Sequence, residues 1–307
     1  MGTVLALRAL GLGDLLTAVP ALRGLRAAYP GDRLVLAAPA WSRPLAALTG
    51  CVDAVHPTSG LGSLRWTEPL GLAVNLHGSG PQSIDDLLAL APERIVTHRN
   101  PARPGIGGPG WDAGEHEVRR WCLLLDRAGI PCDPGALGLE APGASPAPGC
   151  VVVHPGGSSG ARRWPAARFA AVVRALAATG SEVVVTGSSA ERALAEAVGA
   201  GLPPVAVRAG RDDLATLAAL VAEAALVVTN DTGVGHLATA YGTRSVLVFG
   251  PNPPAWWGPP ADRPRHTALW AGEIGDPHGP DPAPGLLAIT VEDVLDAAVA
   301  HLSATAH

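Results

Sequence analysis

The chain has 307 residues, of which 48% are hydrophobic, and a formal net charge of −5 at pH 7. This length and apolar content predict two domains, each with its own core. Lysine is absent and no basic stripe is present to neutralise phosphates, so nucleic acid is not expected as a partner. The sequence lacks a signal peptide and a run of about twenty uncharged apolar residues, which predicts a cytoplasmic protein without a transmembrane segment.

The four cysteines are widely spaced and form no CxxC motif and no Cys/His ligand spacing. Such cysteines are typical of reduced, mostly buried thiols in a cytosolic protein, and they predict no metal site. They are Cys51, Cys122, Cys132 and Cys150.

Short apolar runs alternate with helical patterns in the first half of the chain, which predicts a parallel sheet covered by helices. A dense run of Pro and Gly then reads PCDPGALGLEAPGASPAPG, at 131–149, and predicts a linker between domains 1–146 and 147–307. Strands are expected at 4–7, 34–37, 52–55, 72–76 and 94–96, and helices at 15–28, 45–48, 83–90 and 115–128.

The second half repeats the alternation, so the fold class expected is α/β, with two Rossmann-like parallel-sheet domains facing each other across a cleft. A last helix at about 290–303 has few partners of its own, and we expect it to pack back across both domains. Strands are expected at 151–153, 182–186, 205–207, 226–229 and 246–249, with helices at 165–178, 190–198, 214–222 and 235–240.

The chain is organised around residues 226–238, where a strand stops at a polar turn that feeds a helix of small residues. Ligands bind at the carboxyl edge of a parallel sheet, and the amino end of a helix favours an anion. Gly233 lets the backbone approach a phosphate, and Thr232 and His236 can reach the same ligand. The alternative is a plain turn, in which Asp231 or Thr232 only caps the helix above a packed His236.

A second turn, Gly11-Leu12-Gly13-Asp14, follows the first predicted strand. A dinucleotide fingerprint would need a third glycine at Leu16, so a nicotinamide site is excluded. Asp14 therefore suits either a helix cap or a general base within hydrogen-bond reach of an acceptor hydroxyl. Gly13 leaves space beside it for a phosphate.

A third turn carries small residues, including Gly156 and Gly157, and then Arg162 and Arg163 just before a helix. Arg grips phosphate oxygens bidentately. A solvated charge pair is the alternative, but like charges at a helix start oppose the helix dipole, so an anionic ligand is the better account.

Weaker candidates lie in other loops. Glu191 can bind ribose hydroxyls, although a first-turn Glu is favoured by the helix dipole in any case. Arg211 would line a base pocket. On the acceptor side we expect His77 with the loop tryptophans Trp41, Trp66 and Trp111, which serve either as ring platforms or as packing under loops.

Several of these motifs together resemble glycosyltransferase family 9, the ADP-heptose heptosyltransferases. The resemblance implies a GT-B fold, an inverting and metal-independent transfer, and a donor held mainly by the carboxyl-terminal domain. It spans nearly the whole chain through Gly13-Asp14 with Pro20, Pro155-Gly156, Arg162-Arg163-Trp164-Pro165, Gly210-Arg211, Asn230-Asp231-Thr232-Gly233 with His236, and Phe249-Gly250-Pro251.

Carried over by motif, the resemblance implies that Asp14 is the general base and that Arg162 replaces a phosphate-binding Lys. Thr232, Gly233 and His236 would contact the donor diphosphate and sugar. Asp231 would lie beside them, and Glu191 and Arg211 would contact ribose and base. Asn252 stands where the family often has Thr.

The expected function is transfer of a sugar, a heptose from ADP-heptose, onto an acceptor hydroxyl, with no cofactor. Residues 1–146 carry 12 Arg against 13 Asp and Glu, so we expect a less anionic acceptor than a lipopolysaccharide core, such as a small-molecule or natural-product intermediate. The alternatives are a nucleotide-sugar epimerase or hydrolase on the same fold and a non-catalytic sugar-nucleotide binder.

Overall fold

The computed structural model describes residues 2–304. The chain divides into two compact units, the first ending at Glu140 and the second beginning at Ala141, within the segment predicted as a linker. Both units contain a parallel sheet. Among the described residues, no helix is both long and apolar enough to cross a bilayer.

The first unit has a five-stranded parallel sheet in the order β3-β2-β1-β4-β5. Its central strand β1 is almost wholly buried between helices, as a run of aliphatic residues predicts. The helix predicted at 15–28 is two helices, and Pro20 lies in the first turn of the second, where a missing N–H costs nothing. The elements are β1 (Thr3–Leu7), α1 (Leu12–Thr17), α2 (Val19–Ala28), β2 (Arg33–Ala38), α3 (Arg43–Leu48), β3 (Ala54–Pro57), β4 (Leu72–Asn75), α4 (Gln82–Leu88), β5 (Arg94–Val96) and α5 (Glu117–Arg127).

The second unit has a six-stranded parallel sheet in the order β11-β10-β9-β6-β7-β8. All five strands predicted in this half are present. The sequence analysis missed β11, α10 and α11, because dense Pro and Gly around them hid the pattern. The elements are β6 (Val151–His154), α6 (Ala166–Ala178), β7 (Val183–Val185), α7 (Arg192–Gly199), β8 (Val205–Val207), α8 (Leu214–Ala222), β9 (Leu226–Asn230), α9 (Gly233–Tyr241), β10 (Ser245–Val248), α10 (Pro254–Trp257), β11 (His266–Leu269), α11 (Pro284–Ala288) and α12 (Val291–Ser303).

The last helix, α12, packs on α6 and on β10 within the second unit. Its buried residues Val294 and Ala298 join the core that also contains Trp164 and Phe169. Thr290 caps its amino end by accepting from the Asp293 N–H at 3.1 Å. The expected packing across both domains stays a prediction.

The expectation of four free thiols was wrong for two of them. Cys122 on α5 is paired in a disulfide with Cys132, and their Cα atoms are 5.0 Å apart. Gly129, with φ +78°, turns the chain back after α5 and brings Cys132 to the helix, which spacing alone did not reveal. Cys51 and Cys150 are free and buried, as expected.

Candidate functional site

Asp14 lies in the first turn of α1, directly after β1. Its Oδ2 accepts the N–H of Gly11 at 3.1 Å, and its Oδ1 accepts from the Arg8 guanidinium at 3.2 Å. The side chain is 29% exposed. Asp14 therefore holds the helix start and also presents a solvent-accessible carboxylate, so the two sequence alternatives are not exclusive. Gly13 lies beside it within α1.

Arg8 is a residue of the candidate site that the sequence analysis missed. Its guanidinium is 1% exposed, and it donates from Nε to the Asp14 carbonyl at 2.9 Å and from Nη1 to the Leu76 carbonyl at 2.5 Å. Nη2 reaches Glu117 Oε1 at 2.8 Å. A charged residue at the end of an apolar strand was the available signal, because a fully buried Arg has to be paired.

Glu117 balances this buried charge from the first turn of α5. It also pairs with Arg120 and accepts from Trp121 Nε1 at 3.0 Å. The carboxylate is thus fully hydrogen-bonded, which is the condition for a stable buried ion pair. Through Arg8 it connects α5 to the backbone and the side chain of Asp14.

His77 follows β4, the strand beside β1, and the structure brings it close to the Arg8 and Asp14 pair. Its Nδ1 accepts the N–H of Ala9 at 3.2 Å. Burial, followed by the charge of Arg8, lowers the pKa of the His77 ring against the opposing effect of Asp14. The ring is therefore neutral at pH 7 with its proton on Nε2.

The loop tryptophans do not share one environment. Trp41 is 45% exposed in the turn after β2, and Trp111 is 39% exposed in the loop after β5. Trp66 instead packs beside His56, with ring centres 5.3 Å apart. Trp41 and Trp111 therefore remain available to a ligand, whereas packing accounts for Trp66.

In the second unit, Arg162 and Asp231 meet across the ends of β6 and β9. Arg162 Nη2 donates to the Asp231 carbonyl at 2.5 Å and to its Oδ2 at 2.9 Å, while Nη1 donates to Ser158 Oγ at 3.2 Å. The Nε of Arg162 is buried and has no acceptor among residues 2–304. A buried donor without a partner is costly, so an anionic ligand would complete this site.

Thr232 is the N-cap residue of α9, but its side chain does not cap the helix. Its hydroxyl lies 3.0 Å from Thr229 Oγ1. Because neither Thr232 nor the paired Asp231 caps α9, the helix-cap alternative was wrong, and the amino end that begins at Gly233 is open to an anion. His236, one turn along, is half-buried with its ring centre 6.3 Å from that of Trp257.

Glu191 joins two loops. Its Oε1 accepts the N–H of Gly157 at 3.1 Å and its Oε2 accepts that of Ser188 at 2.8 Å. Burial raises the pKa of this carboxyl, but the hydrogen bonds and nearby His154 outweigh burial and lower it overall. A Cβ at Gly156 would lie 2.3 Å from Oε1, so a larger residue there would displace the Glu191 carboxylate from its hydrogen bonds. The ribose role of Glu191 stays a prediction.

The two arginines next to this edge are used differently. Arg163 donates from Nε to the Gly157 carbonyl at 2.8 Å, so it supports the loop. Arg211 is exposed after β8, beside Gly210, which has φ +67° and at which an added Cβ would lie 2.7 Å from Ser189 Cα. The predicted donor residues thus lie at the ends of four neighbouring strands, β9, β6, β7 and β8, which span about 14 Å.

Asn230, the last residue of β9, was quoted in the sequence motif but given no role. It is fully buried, accepts the N–H of Trp164 at 3.0 Å, and donates to the carbonyls of Pro155 and Gly156 at 3.0 and 2.9 Å. It ties the end of β9 to the loop after β6. A buried Asn after a strand was the sequence signal, since such a group needs partners.

The chain is similar in sequence to known proteins. Residues 114–276 match the family model described as glycosyltransferase family 9 (heptosyltransferase). The lipopolysaccharide heptosyltransferase 3 of Escherichia coli is 33% identical over 127 residues, 40% of this chain, and the chain spans 37% of that relative's length. The lipopolysaccharide heptosyltransferase 2 of Salmonella typhimurium is 25% identical over 311 residues, covering 85% of this chain and 86% of the relative.

The fold is also found among solved structures. That of the E. coli ADP-heptose lipopolysaccharide heptosyltransferase II superposes with a TM-score of 0.80 over 100% of both chains, at 21% identity. This likeness confirms the GT-B class, two parallel-sheet α/β domains, predicted from the sequence. Since the family model covers more than half of the chain, the chain belongs to glycosyltransferase family 9.

Proposed function

We propose that the protein is a glycosyltransferase that transfers a heptose from ADP-heptose to an acceptor hydroxyl with inversion at the anomeric carbon. The observation that carries the donor assignment is the Arg162 guanidinium, whose buried Nε lacks an acceptor within residues 2–304 and which lies beside the open amino end of α9. Both features favour a diphosphate. The structural neighbour from E. coli is itself an ADP-heptose enzyme.

The size of the donor edge supports a nucleotide sugar. The span of about 14 Å from β9 to β8 suits an extended nucleoside diphosphate sugar. In this proposal the diphosphate lies at Arg162, Thr232 and Gly233, the sugar near His236, and the ribose and base towards Glu191 and Arg211.

Asp14 is the proposed general base. Its carboxylate takes the proton of the acceptor hydroxyl as that oxygen attacks the anomeric carbon, and the bond from this carbon to the departing diphosphate oxygen breaks. Attack from the face opposite the diphosphate inverts the configuration. Arg8 keeps the carboxylate oriented by binding both its side chain and its carbonyl.

The departing diphosphate needs positive charge, which Arg162 and the amino end of α9 supply in this proposal without a metal ion. Within the described residues, no three His, Cys, Asp or Glu side chains are grouped so that they could hold a metal.

The acceptor is proposed to be a small molecule rather than a highly anionic lipopolysaccharide core, because the arginines of the first unit are offset by its acids.

A panel of ADP-, GDP- and UDP-sugars, assayed by calorimetry, tests the donor assignment. ADP-heptose should bind most tightly, and the Arg162→Gln variant should bind it more weakly. Incubation of donor without acceptor distinguishes the other chemistries, since release of nucleotide or an epimer faster than transfer would point to a hydrolase or an epimerase. Equal binding by wild type and Arg162→Gln would contradict the proposed donor site.

A further inference from the structure

The first unit contains a cavity of about 690 Å³ that has been given no role so far. It lies at the end of β5 and is formed mainly by the Pro- and Gly-rich loop that follows this strand. We call it the Arg99 pocket. Its lining includes Ser79, Arg99, Asn100, Ile106, Gly107 and Trp111.

Arg99 is the charged residue of this lining, and it is available to a ligand. Its side chain is exposed, and within residues 2–304 its guanidinium has neither an ion pair nor a hydrogen-bond acceptor. Arg103 in the same loop, by contrast, pairs bidentately with Asp85 at 2.5 Å. A planar guanidinium without a carboxylate partner, in a pocket with no acidic lining, favours an oxyanion.

Trp111 forms a fixed aromatic wall of the pocket. Its ring is held by edge contacts with His98 and Trp121, at 5.1 and 5.9 Å between ring centres, and by the Arg120 guanidinium 4.3 Å from its own centre. The side chain is 39% exposed and belongs to the lining of the pocket. An indole held in this way is suited to stack on a sugar or aromatic ring at little entropic cost.

The loop itself is built to hold this shape. The Arg99 N–H donates to the Pro109 carbonyl at 2.9 Å, and His98 Nδ1 lies 3.2 Å from the Gly110 carbonyl. Gly108, with φ +153°, packs so tightly that a Cβ would lie 2.0 Å from the Thr97 carbonyl oxygen. The cavity is therefore a feature of the folded loop rather than of side-chain placement alone.

The pocket is also tied to the loop that carries His77. Asn100 Nδ2 donates to the Ser79 carbonyl at 2.9 Å. Because β4 separates β5 from β1, the end of β5 lies about 10 Å from the end of β1, where Asp14 follows. The loop that forms the pocket and the turn that carries the proposed base therefore follow next-but-one strands of the same parallel sheet, at the same edge.

From these observations we propose that the Arg99 pocket binds a single oxyanion group of the acceptor, with Arg99 gripping the oxyanion and Trp111 stacking on the adjoining ring. The ligand class is a hydroxyl-bearing ring compound with one carboxylate or phosphate. This inference rests on the proposed function only where it identifies the ligand as the acceptor. It places an anion-binding site in the first unit, whose nearly balanced charge had led us to expect a less anionic acceptor.

Three pyranose compounds with the same gluco ring configuration serve as probes, namely methyl glucoside, methyl glucuronide and glucose 6-phosphate. Their binding to the full-length chain is measured by ligand-observed NMR and calorimetry. We expect the two charged probes to bind the wild type at least about tenfold more tightly than the uncharged one, and to lose about tenfold or more in Arg99→Gln. The stronger of the two charged probes identifies carboxylate or phosphate as the natural group.

Two comparison variants make the test specific. Arg127→Gln removes an exposed arginine from the end of α5, outside the pocket, and should leave all three affinities unchanged. Arg162→Gln reports on any probe bound in the proposed donor site, and the binding that Arg99→Gln removes should be retained in this variant. Trp111→Leu should weaken the sugar probes while binding of inorganic phosphate is kept, and its folding is checked by thermal unfolding.

Equal affinity in Arg99→Gln and wild type would overturn the proposal, as would failure of both charged probes to bind at roughly 10 mM. Loss of binding in Arg162→Gln but not in Arg99→Gln would also overturn it, by placing the probes in the donor site. None of these results bears on the nucleotide-sugar panel, so failure of this inference and failure of the proposed function are distinguishable.

Discussion

Arg8 and Glu117, which lie 109 residues apart in the sequence, form a buried ion pair of 2.8 Å. The same guanidinium holds Asp14, so the proposed base depends on a charge that has to be neutralised from α5. In Arg8→Met, Glu117 would keep Arg120 and lose its second cation. We expect a loss of about 3 kcal/mol in the free energy of unfolding, measured by urea denaturation.

The double variant Arg8→Met/Glu117→Gln is the control for this pair. Its loss of stability should be at least about 1 kcal/mol smaller than the sum of the losses in the two single variants, because each single variant already breaks the same ion pair, while transfer activity stays low because Asp14 is no longer oriented. Additive losses of stability in the double variant would contradict the coupling.

Asp14→Asn should reduce the rate of sugar transfer by about 10²- to 10⁴-fold, since the amide cannot take the proton from the acceptor hydroxyl. Donor affinity should change by less than about 1 kcal/mol, because a base acts in the transition state rather than in ground-state binding. Steady-state kinetics and calorimetry separate the two quantities. Glu93→Gln, at an exposed carboxylate of the same unit, is the matched control, and near-normal turnover in Asp14→Asn would rule out the base assignment.

Arg162→Gln should weaken binding of the ADP-sugar by about 10- to 100-fold, the value of a charge-assisted hydrogen bond to phosphate. Calorimetry with the sugar nucleotide and with ADP measures the effect, which should appear for both ligands. Arg174→Gln, an exposed arginine on α6 in the same unit, should bind like the wild type. A comparable loss in both variants would point to general electrostatics instead.

The cysteines give a prediction that needs no ligand. Unfolded protein that has not been reduced should show two free thiols by thiol titration, Cys51 and Cys150, and reduction should raise the count to four. In the folded protein at pH 8 both should resist alkylation, because burial raises the pKa of both thiols, that of Cys150 to about 11. Four reactive thiols without reduction would disprove the disulfide.

Stability should fall on acidification below pH 6.5. Burial, followed by the charges of Arg263, His301 and Arg265, lowers the pKa of His266 to about 4, so the unfolded chain binds this proton more readily between pH 6.5 and 4. Since the ring is partly exposed, we expect a contribution of about 1 kcal/mol between pH 6.5 and 5. Urea unfolding at several pH values tests this, and His266→Gln should lose less stability on acidification than the wild type.

Most of the fold could be predicted because hydrophobic runs and helix breakers are local signals. The ten strands predicted along the chain, from 4–7 to 246–249, are all present. β11 was not predicted because the Pro- and Gly-rich segment before it hid the pattern and because its four half-buried residues, His266–Leu269, show little apolar contrast with their surroundings. The disulfide was not predicted either, because it depends on a turn after α5 that folds the chain back.

The site was predictable where residues carry chemistry at strand ends, as Asp14, Arg162 and Asp231 do. It was not predictable where the partner is distant in sequence. Nothing near Arg8 points to Glu117, and a first-turn Glu on α5 reads as an ordinary helix-dipole contact. The Arg99 pocket escaped for a related reason, since a Pro- and Gly-rich loop has no periodicity from which a cavity can be inferred.

The three hydrogen bonds of Asn230 have a consequence for the evolution and engineering of donor choice. They fasten the end of β9 to the loop after β6, so a substitution that reshapes this loop also disturbs the strand end and endangers the fold. Asn252 and Trp257 border the same edge but take no part in these three hydrogen bonds. The Asn252 amide lies 3.4 Å from Asp231 Oδ2, and the Trp257 ring packs on His236. Libraries intended to broaden the accepted sugar are therefore best directed to these two positions.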